Sequence, residues 1–192
     1  MRVFLAGATG VIGIRLLPLL VSAGHEVAGM TRTPEKTTQI AALGATPVVC
    51  DVFDAVTLLE TVKAFRPDLV MHQLTDLPDK RDEIAGYAER NNRIRTEGTR
   101  NLLAAAGAAG ARRFLAQSIA WVPPGNGEAV AEHERQVLDV GGVVVRYGQL
   151  YGSGTYYLDD LPPPPRIHAD DAARRTMGLL DAESGTVVLC EE

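Results

Sequence analysis

Three glycines, Gly7, Gly10 and Gly13, stand at three-residue spacing between an apolar run, Val3 to Ala6, and a stretch from Ile14 to Leu20 with the apolar pattern of a helix. A strand, a glycine turn and a helix in that order can capture an anion. Backbone N–H groups without partners point out of the helix N-terminus, and the helix dipole adds to their pull. On this reading a Cβ at Gly7 or Gly10 holds a phosphate off, and one at Gly13 pushes the helix away from the sheet. Gly7, Thr9, Gly10, Val11, Ile12 and Gly13 are therefore the expected contacts of a dinucleotide's pyrophosphate. The alternative is a tight strand-to-helix turn that holds no ligand.

The next chemistry-bearing turn follows the second apolar run, His25 to Met30. An acidic residue at this place accepts hydrogen bonds from a ribose 2′-hydroxyl, whereas a cation accommodates a 2′-phosphate. Thr31 and Arg32 occupy it, with Lys36 a turn later, which predicts NADP(H) over NAD(H). Arg32 as a solvated turn residue is the competing reading.

The elements that position these turns alternate along the chain. Pro34 opens a helix to about Leu43, and Thr46 to Cys50 reads as a third strand. Asp54 precedes Ala55 to Ala64 and suits a helix N-cap. Arg66 to His72 is a fourth strand, and Asp79 to Ala106 one long or broken helix whose charged first part is a solvated face. Arg112 to Ser118 is a fifth strand, Glu132 to Leu138 lies on a helix, and a sixth strand runs from Val143. A last helix reaches Asp181, and Gly185 to Cys190 supplies a seventh strand. Strands alternating with helices predict one α/β domain over 1–192, a doubly wound parallel sheet in three αβα layers with order 3-2-1-4-5-6 and the last strand at its edge.

Composition bounds the function. A chain of 192 residues, 46% hydrophobic and 22% charged, suits a single core. A net charge of −5, a pI near 5.4 and no basic run argue against nucleic acid. No apolar stretch has the length of a membrane span and the N-terminus enters a strand at once, so the expectation is a cytoplasmic protein. Cys50 and Cys190 lack metal-ligand spacing and read as thiols at strand ends, with no metal site implied.

Gly7-Ala-Thr-Gly-Val-Ile-Gly13 resembles the fingerprint of the extended and atypical short-chain dehydrogenase/reductases, the NAD-dependent epimerase/dehydratase-like group. The likeness runs to about Gly152 and resumes weakly at His168-Ala-Asp-Asp171. It implies that Asp51 and Val52 meet the adenine. It also places Gln73, Leu74 and Thr75 under the ribose and nicotinamide, and Ser118 near the nicotinamide. Glu97 to Leu103 is similar to the family's long helix beside the active site, which in many members packs into a dimer, so a homodimer is an open expectation.

Two features depart from that pattern. The family's Tyr-x-x-x-Lys motif, in which tyrosine moves the proton and lysine tunes it, is absent: Asn126 and Val130 fall in its two places. Ser118 remains, and Tyr151 or His72 are the candidates to move a proton, with Tyr147 a weaker one. Trp121 is read equally as pocket wall and as core, and His133 as a surface residue. The second departure is length: only Ser153 to Ile167, with four prolines, stands where the family has a substrate lobe, and Asp170 reads as an N-cap. The resemblance implies an atypical oxidoreductase or epimerase-like enzyme acting on a small molecule. A non-redox enzyme (cyclase, lyase or dehydratase) on the same pocket and a non-catalytic NADP(H)-binding sensor or scaffold remain as alternatives.

Overall fold

The computed structural model describes residues 1–121 and 127–191. Seven strands form one parallel sheet: β1 (Arg2–Ala6), β2 (Glu26–Thr31), β3 (Thr46–Val49), β4 (Leu69–His72), β5 (Arg113–Ile119), β6 (Val143–Tyr147) and, at the far edge, β9 (Gly185–Leu189). Their order is β3-β2-β1-β4-β5-β6-β9, the doubly wound arrangement the alternation predicts. β7 (Gln149–Tyr151) and β8 (Arg166–His168) pair separately as a two-stranded parallel ribbon.

The sheet is buried on both faces, which is why its central strands read as continuous apolar runs. Val3, Leu5, Met71, Leu115 and Val145 pack against α1 (Gly13–Ser22), α2 (Thr37–Ala42) and α7 (Ala169–Met177). Phe4, Val70, Phe114 and Val144 pack against α3 (Ala55–Phe65), α5 (Thr99–Ala108) and α6 (Gly127–Asp139). Period-two alternation then fixes the side of each polar residue near the carboxyl ends. His72 continues from Val70, Ser118 from Phe114 and Ala116, and Arg146 from Val144, all towards α5 and α6.

Local signals hold where they are local. Asp54 caps α3, its carboxylate accepting from the Thr57 N–H at 3.1 Å. Two readings gain detail and a third needs correction. The helix expected from Pro34 starts as a 3-10 turn over Pro34–Lys36, and only Thr37–Ala42 is α-helical. The charged stretch folds as a 3-10 segment, Arg81–Tyr87, followed by α4 (Ala88–Arg93), a π-helical turn, Ile94–Gly98, and α5. Asp170 is not the cap of α7: the His168 ring accepts from the Asp170 N–H, and the Asp170 carboxylate pairs with Arg15.

Candidate active site at the carboxyl ends of the strands

The glycine turn leaves β1 and meets the loop after β4 at very close range. An added Cβ at Gly7, whose φ is +88°, would stand 2.5 Å from the Gln73 carbonyl oxygen, and one at Gly13 would stand 2.1 Å from the Gly7 carbonyl oxygen. Those two glycines are thus required by the protein's own backbone, Gly7 against the loop after β4 and Gly13 against the turn that leaves β1. Gly10 differs. It is exposed, and its Cβ would meet nothing nearer than 3.4 Å. Among the described residues no backbone carbonyl accepts from the Val11 or Ile12 N–H. An open turn with unspent donors at the start of α1 fits a pyrophosphate. Arg15 braces the turn from below, donating to the Val11 carbonyl at 2.8 Å, to Asp170 at 2.6 Å and to the Ser153 carbonyl.

At the end of β2, the Thr9 and Thr31 hydroxyls lie 3.4 Å apart and Thr31 Oγ1 accepts from the Thr33 N–H. The Arg32 guanidinium, about half exposed, reaches across to Asp76, which is buried. Arg90 from α4 grips the same carboxylate at 3.0 Å. Burial alone would raise the Asp76 pKa, but the two arginines outweigh it and hold the carboxyl below its usual range. Two guanidiniums thus share one buried carboxylate at this corner, with the Asp51 carboxylate also acting on Arg32. Asp51 is exposed and one of its oxygens accepts from the Phe53 N–H; Val52 is buried, its carbonyl accepting from Asn101.

The loop after β4 is layered. Gln73 is buried with its side-chain Nε2 unpartnered among the described residues, Leu74 is half-buried, and Thr75 is exposed. His72 lies wholly in the interior. Its Nδ1 accepts from the Leu74 N–H, so its Nε2 carries the hydrogen donated to Thr99 Oγ1, 3.0 Å away. Thr99 in turn donates to His133 Nδ1 at 2.7 Å, and His133 Nε2 donates to the Gln117 carbonyl at 2.8 Å. Every proton in this chain points one way and every acceptor is used. Burial pushes both imidazole pKa values down, His72 furthest. His133, expected on the surface, is instead 1% exposed. Spacing along α6 gave no sign of this, because its partners come from β5 and α5.

Ser118 sits at the end of β5 and is also buried, donating to Glu134 Oε1 of α6 at 2.6 Å. Arg146 of β6 clasps the same carboxylate with Nε, at 2.8 Å, and Nη2. Burial pushes the Glu134 carboxyl up, and the bonds from Arg146 and Ser118 bring it below its usual range. Neither Glu134 nor Arg146 was singled out by the sequence. Tyr151 is on β7, its hydroxyl on Glu191 and its ring 5.1 Å from that of His168. Tyr147 faces the opposite side of the sheet, buried against Thr176 at 2.7 Å, and burial raises its phenol to about 12. Ser118, His72 and Tyr151 thus each hold a separate set of partners. Val130 is buried on α6, and Asn126 lies outside the described residues. Trp121 is half-buried beyond β5, Cys50 is buried and Cys190 half-buried. No three-residue metal-binding cluster and no helix long and apolar enough to cross a membrane occur among the described residues.

The fold and the glycine turn define a doubly wound dinucleotide-binding protein. Residues 7–139 match the family described as NAD(P)H-binding, and the chain belongs to that family. A Streptomyces protein named 3-diazoavenalumate denitrifying reductase is 37% identical over 227 aligned residues, covering 96% of this chain and 73% of its own. A Mycolicibacterium neoaurum 3-beta-hydroxysteroid dehydrogenase is 30% identical over 116 residues, 59% of this chain and 31% of its own. Among solved structures, the UDP-glucose 4-epimerase of Thermotoga maritima superposes with a TM-score of 0.80 at 15% identity, covering 99% of this chain and 77% of that one. The Bordetella bronchiseptica enzyme WbmH, in complex with NAD+, gives 0.77 at 17% identity, covering 99% and 75%.

Two outcomes follow from this geometry. Gly13→Ala forces a backbone overlap and is expected to cost about 3 kcal/mol in urea denaturation, whereas Gly10→Ala keeps wild-type stability and loses cofactor affinity by calorimetry. Equal stability loss in both variants would contradict the assignment. The buried histidines set a pH dependence. Their folded pKa values lie below the unfolded value of about 6.5, so the unfolded chain binds the extra protons as pH falls. Stability is complete above about pH 6.5 and declines below it. In a His25→Gln background, denaturation at pH 6.5 and 5.5 should differ by up to about 2 kcal/mol. No difference would mean that both rings protonate in the folded protein.

Proposed function

We propose that this chain is an NADP(H)-dependent reductase whose hydride acceptor takes up no proton from the protein. The observation that carries this reading is the state of Ser118. A carbonyl being reduced becomes an alkoxide and needs an acid beside it. The single hydroxyl proton of Ser118 is spent on Glu134, whose carboxylate is held ionised by Arg146. The sequence has no Tyr-x-x-x-Lys. His72 has both ring nitrogens committed in the interior and Tyr151 donates to Glu191. Among the described residues, Ser118, His72 and Tyr151 thus have no proton free to give beside the cofactor turn.

The residues present fit the cofactor. Gly10 and the Val11 and Ile12 N–H groups would hold the pyrophosphate, and Gln73 would lie under the ribose. Asp51 and Val52 would meet the adenine, and the Arg32–Asp76–Arg90 cluster would take a 2′-phosphate through its guanidiniums. Bound in its reduced form, the nicotinamide supplies hydride.

An acceptor suited to such a site is a diazonium or diazo-phenol carbon: the new C–H bond forms as the C–N bond breaks, the electron pair leaves with N2, and no proton is moved. The diazo substrate in the Streptomyces relative's name supports this class. The short segment from Ser153 to Ile167 leaves room for a small molecule only, and reads as the remnant of a larger substrate lobe. Ser118 and Glu134 then serve as a neutralised polar wall.

With a simple diazo-phenol, one N2 should be released per NADPH oxidised, deuterium from labelled NADPH should appear on the ring carbon, and Ser118→Ala should retain activity within a few-fold. Turnover of ketones in preference to diazo compounds, abolished by Ser118→Ala, would overturn the reading. In direct titration NADPH should bind more tightly than NADH, and Arg32→Ala should weaken NADPH alone, by about tenfold. Equal affinities for the two cofactors would remove the 2′-phosphate assignment.

A further inference from the structure

Arg95 is the charged side chain that this reading leaves unused. It stands in the π-helical turn Ile94–Gly98, is 6% exposed, and its Nη1 has no hydrogen-bond partner among the described residues. Arginine stays protonated, and a guanidinium taken out of water without a partner is costly to keep. A π turn inserted in an otherwise α-helical run is likewise unfavourable and recurs at functional sites. Two costs coincide at one residue.

The neighbours locate it at the strand ends. Thr99, one turn further on, holds His72 and His133, and the Thr96 carbonyl accepts from Gln136 of α6 at 3.3 Å. Arg95 lies within the field of Glu134, which opposes the effect of burial on it. Glu134 does not neutralise it, because its Oε1 accepts from Ser118 and Arg146 and its Oε2 from Arg146. The interior there therefore holds a cation within the field of a carboxylate that is already bound to Ser118 and Arg146.

We propose that Arg95 is the subsite for the substrate's carboxylate. A guanidinium presents a planar fork that a carboxylate matches in two parallel hydrogen bonds. At Nη1 a ligand displaces no protein acceptor. This deepens the reductase reading by giving its substrate class, a small aromatic or conjugated acid, but the binding itself requires no turnover. The competing arrangement is internal: the Gln136 Oε1 is also unpartnered among the described residues, and a shift of that side chain towards Arg95 would satisfy both.

The test is calorimetric titration of 4-hydroxycinnamate, which has no diazo group to lose, and of its neutral amide into the NADP+-loaded protein. The wild type should bind the acid at least tenfold more tightly than the amide. Arg95→Met should lose that preference, weakening the acid by about 100-fold while its Tm stays level or rises. Arg95→Lys should keep part of the preference, and Gln136→Leu should leave it within twofold. Equal or absent binding of acid and amide by the wild type overturns the proposal without any variant. Matched losses of Tm in Arg95→Met and Gln136→Leu, with acid binding unchanged, would assign the pair to the fold instead. Arg95-dependent acid binding without NADPH consumption on a diazo acid would refute the reductase reading alone.

Discussion

A parallel sheet buried on both faces can carry polar side chains only at its strand ends, and at those ends each donor must find an acceptor away from water. That constraint governs β4, β5 and β6 here. His72, Thr99 and His133 form one chain that terminates on the Gln117 carbonyl, and Ser118, Glu134 and Arg146 form a second. Both run from the sheet to α6. The helix is pinned by these contacts, which hold His133 and Glu134 in place against the strand ends.

The corner at β2 obeys the opposite rule. Asp76 is buried, its backbone N–H accepted by Asn91 at 3.0 Å, and two guanidiniums from elements far apart in sequence converge on it. One carboxylate orients both arginines without neutralising both. A buried acid is an economical way to hold exposed cations in place, because the side-chain entropy otherwise lost on capturing a phosphate is already spent on folding. Ser118 and Glu134 are thus tied off within the interior, whereas Arg32 and Arg90 keep about half of each side chain exposed around Asp76.

What was legible in the chain was what short range decides. The glycine spacing, the apolar strands and the Asp54 cap each depend on residues within a few positions, and they gave the sheet order, because handed crossovers leave few topologies. The site's chemistry was less legible. His133 reads as a surface residue between two acids, yet its ring is claimed by Thr99 and Gln117, 34 and 16 residues away. The same holds for Glu134 and Arg146, and for Arg95, whose burial follows from a π turn that no periodicity announces. β7 and β8 escaped for a related reason: two three-residue strands, Gln149–Tyr151 and Arg166–His168, pair across a proline run and carry no pattern of their own.

The segment between those two strands is short, but it is tied at several points. The Ser153 carbonyl accepts from Arg15 beside the glycine turn, the Tyr156 hydroxyl donates to the Pro78 carbonyl beyond β4, and the Arg81 guanidinium stacks 4.5 Å above the Tyr157 ring. One strap thus ties α1 to the loop after β4 and to the 3-10 segment that continues from it. A large lobe can close a cleft by area alone; a strap of this length does so by being anchored at both walls. Its anchors are also the elements that carry the glycine turn and Asp76, so the segment fixes those two corners relative to each other. On this view the glycine turn is braced from across the cleft by a few directed bonds and not by a large covering surface.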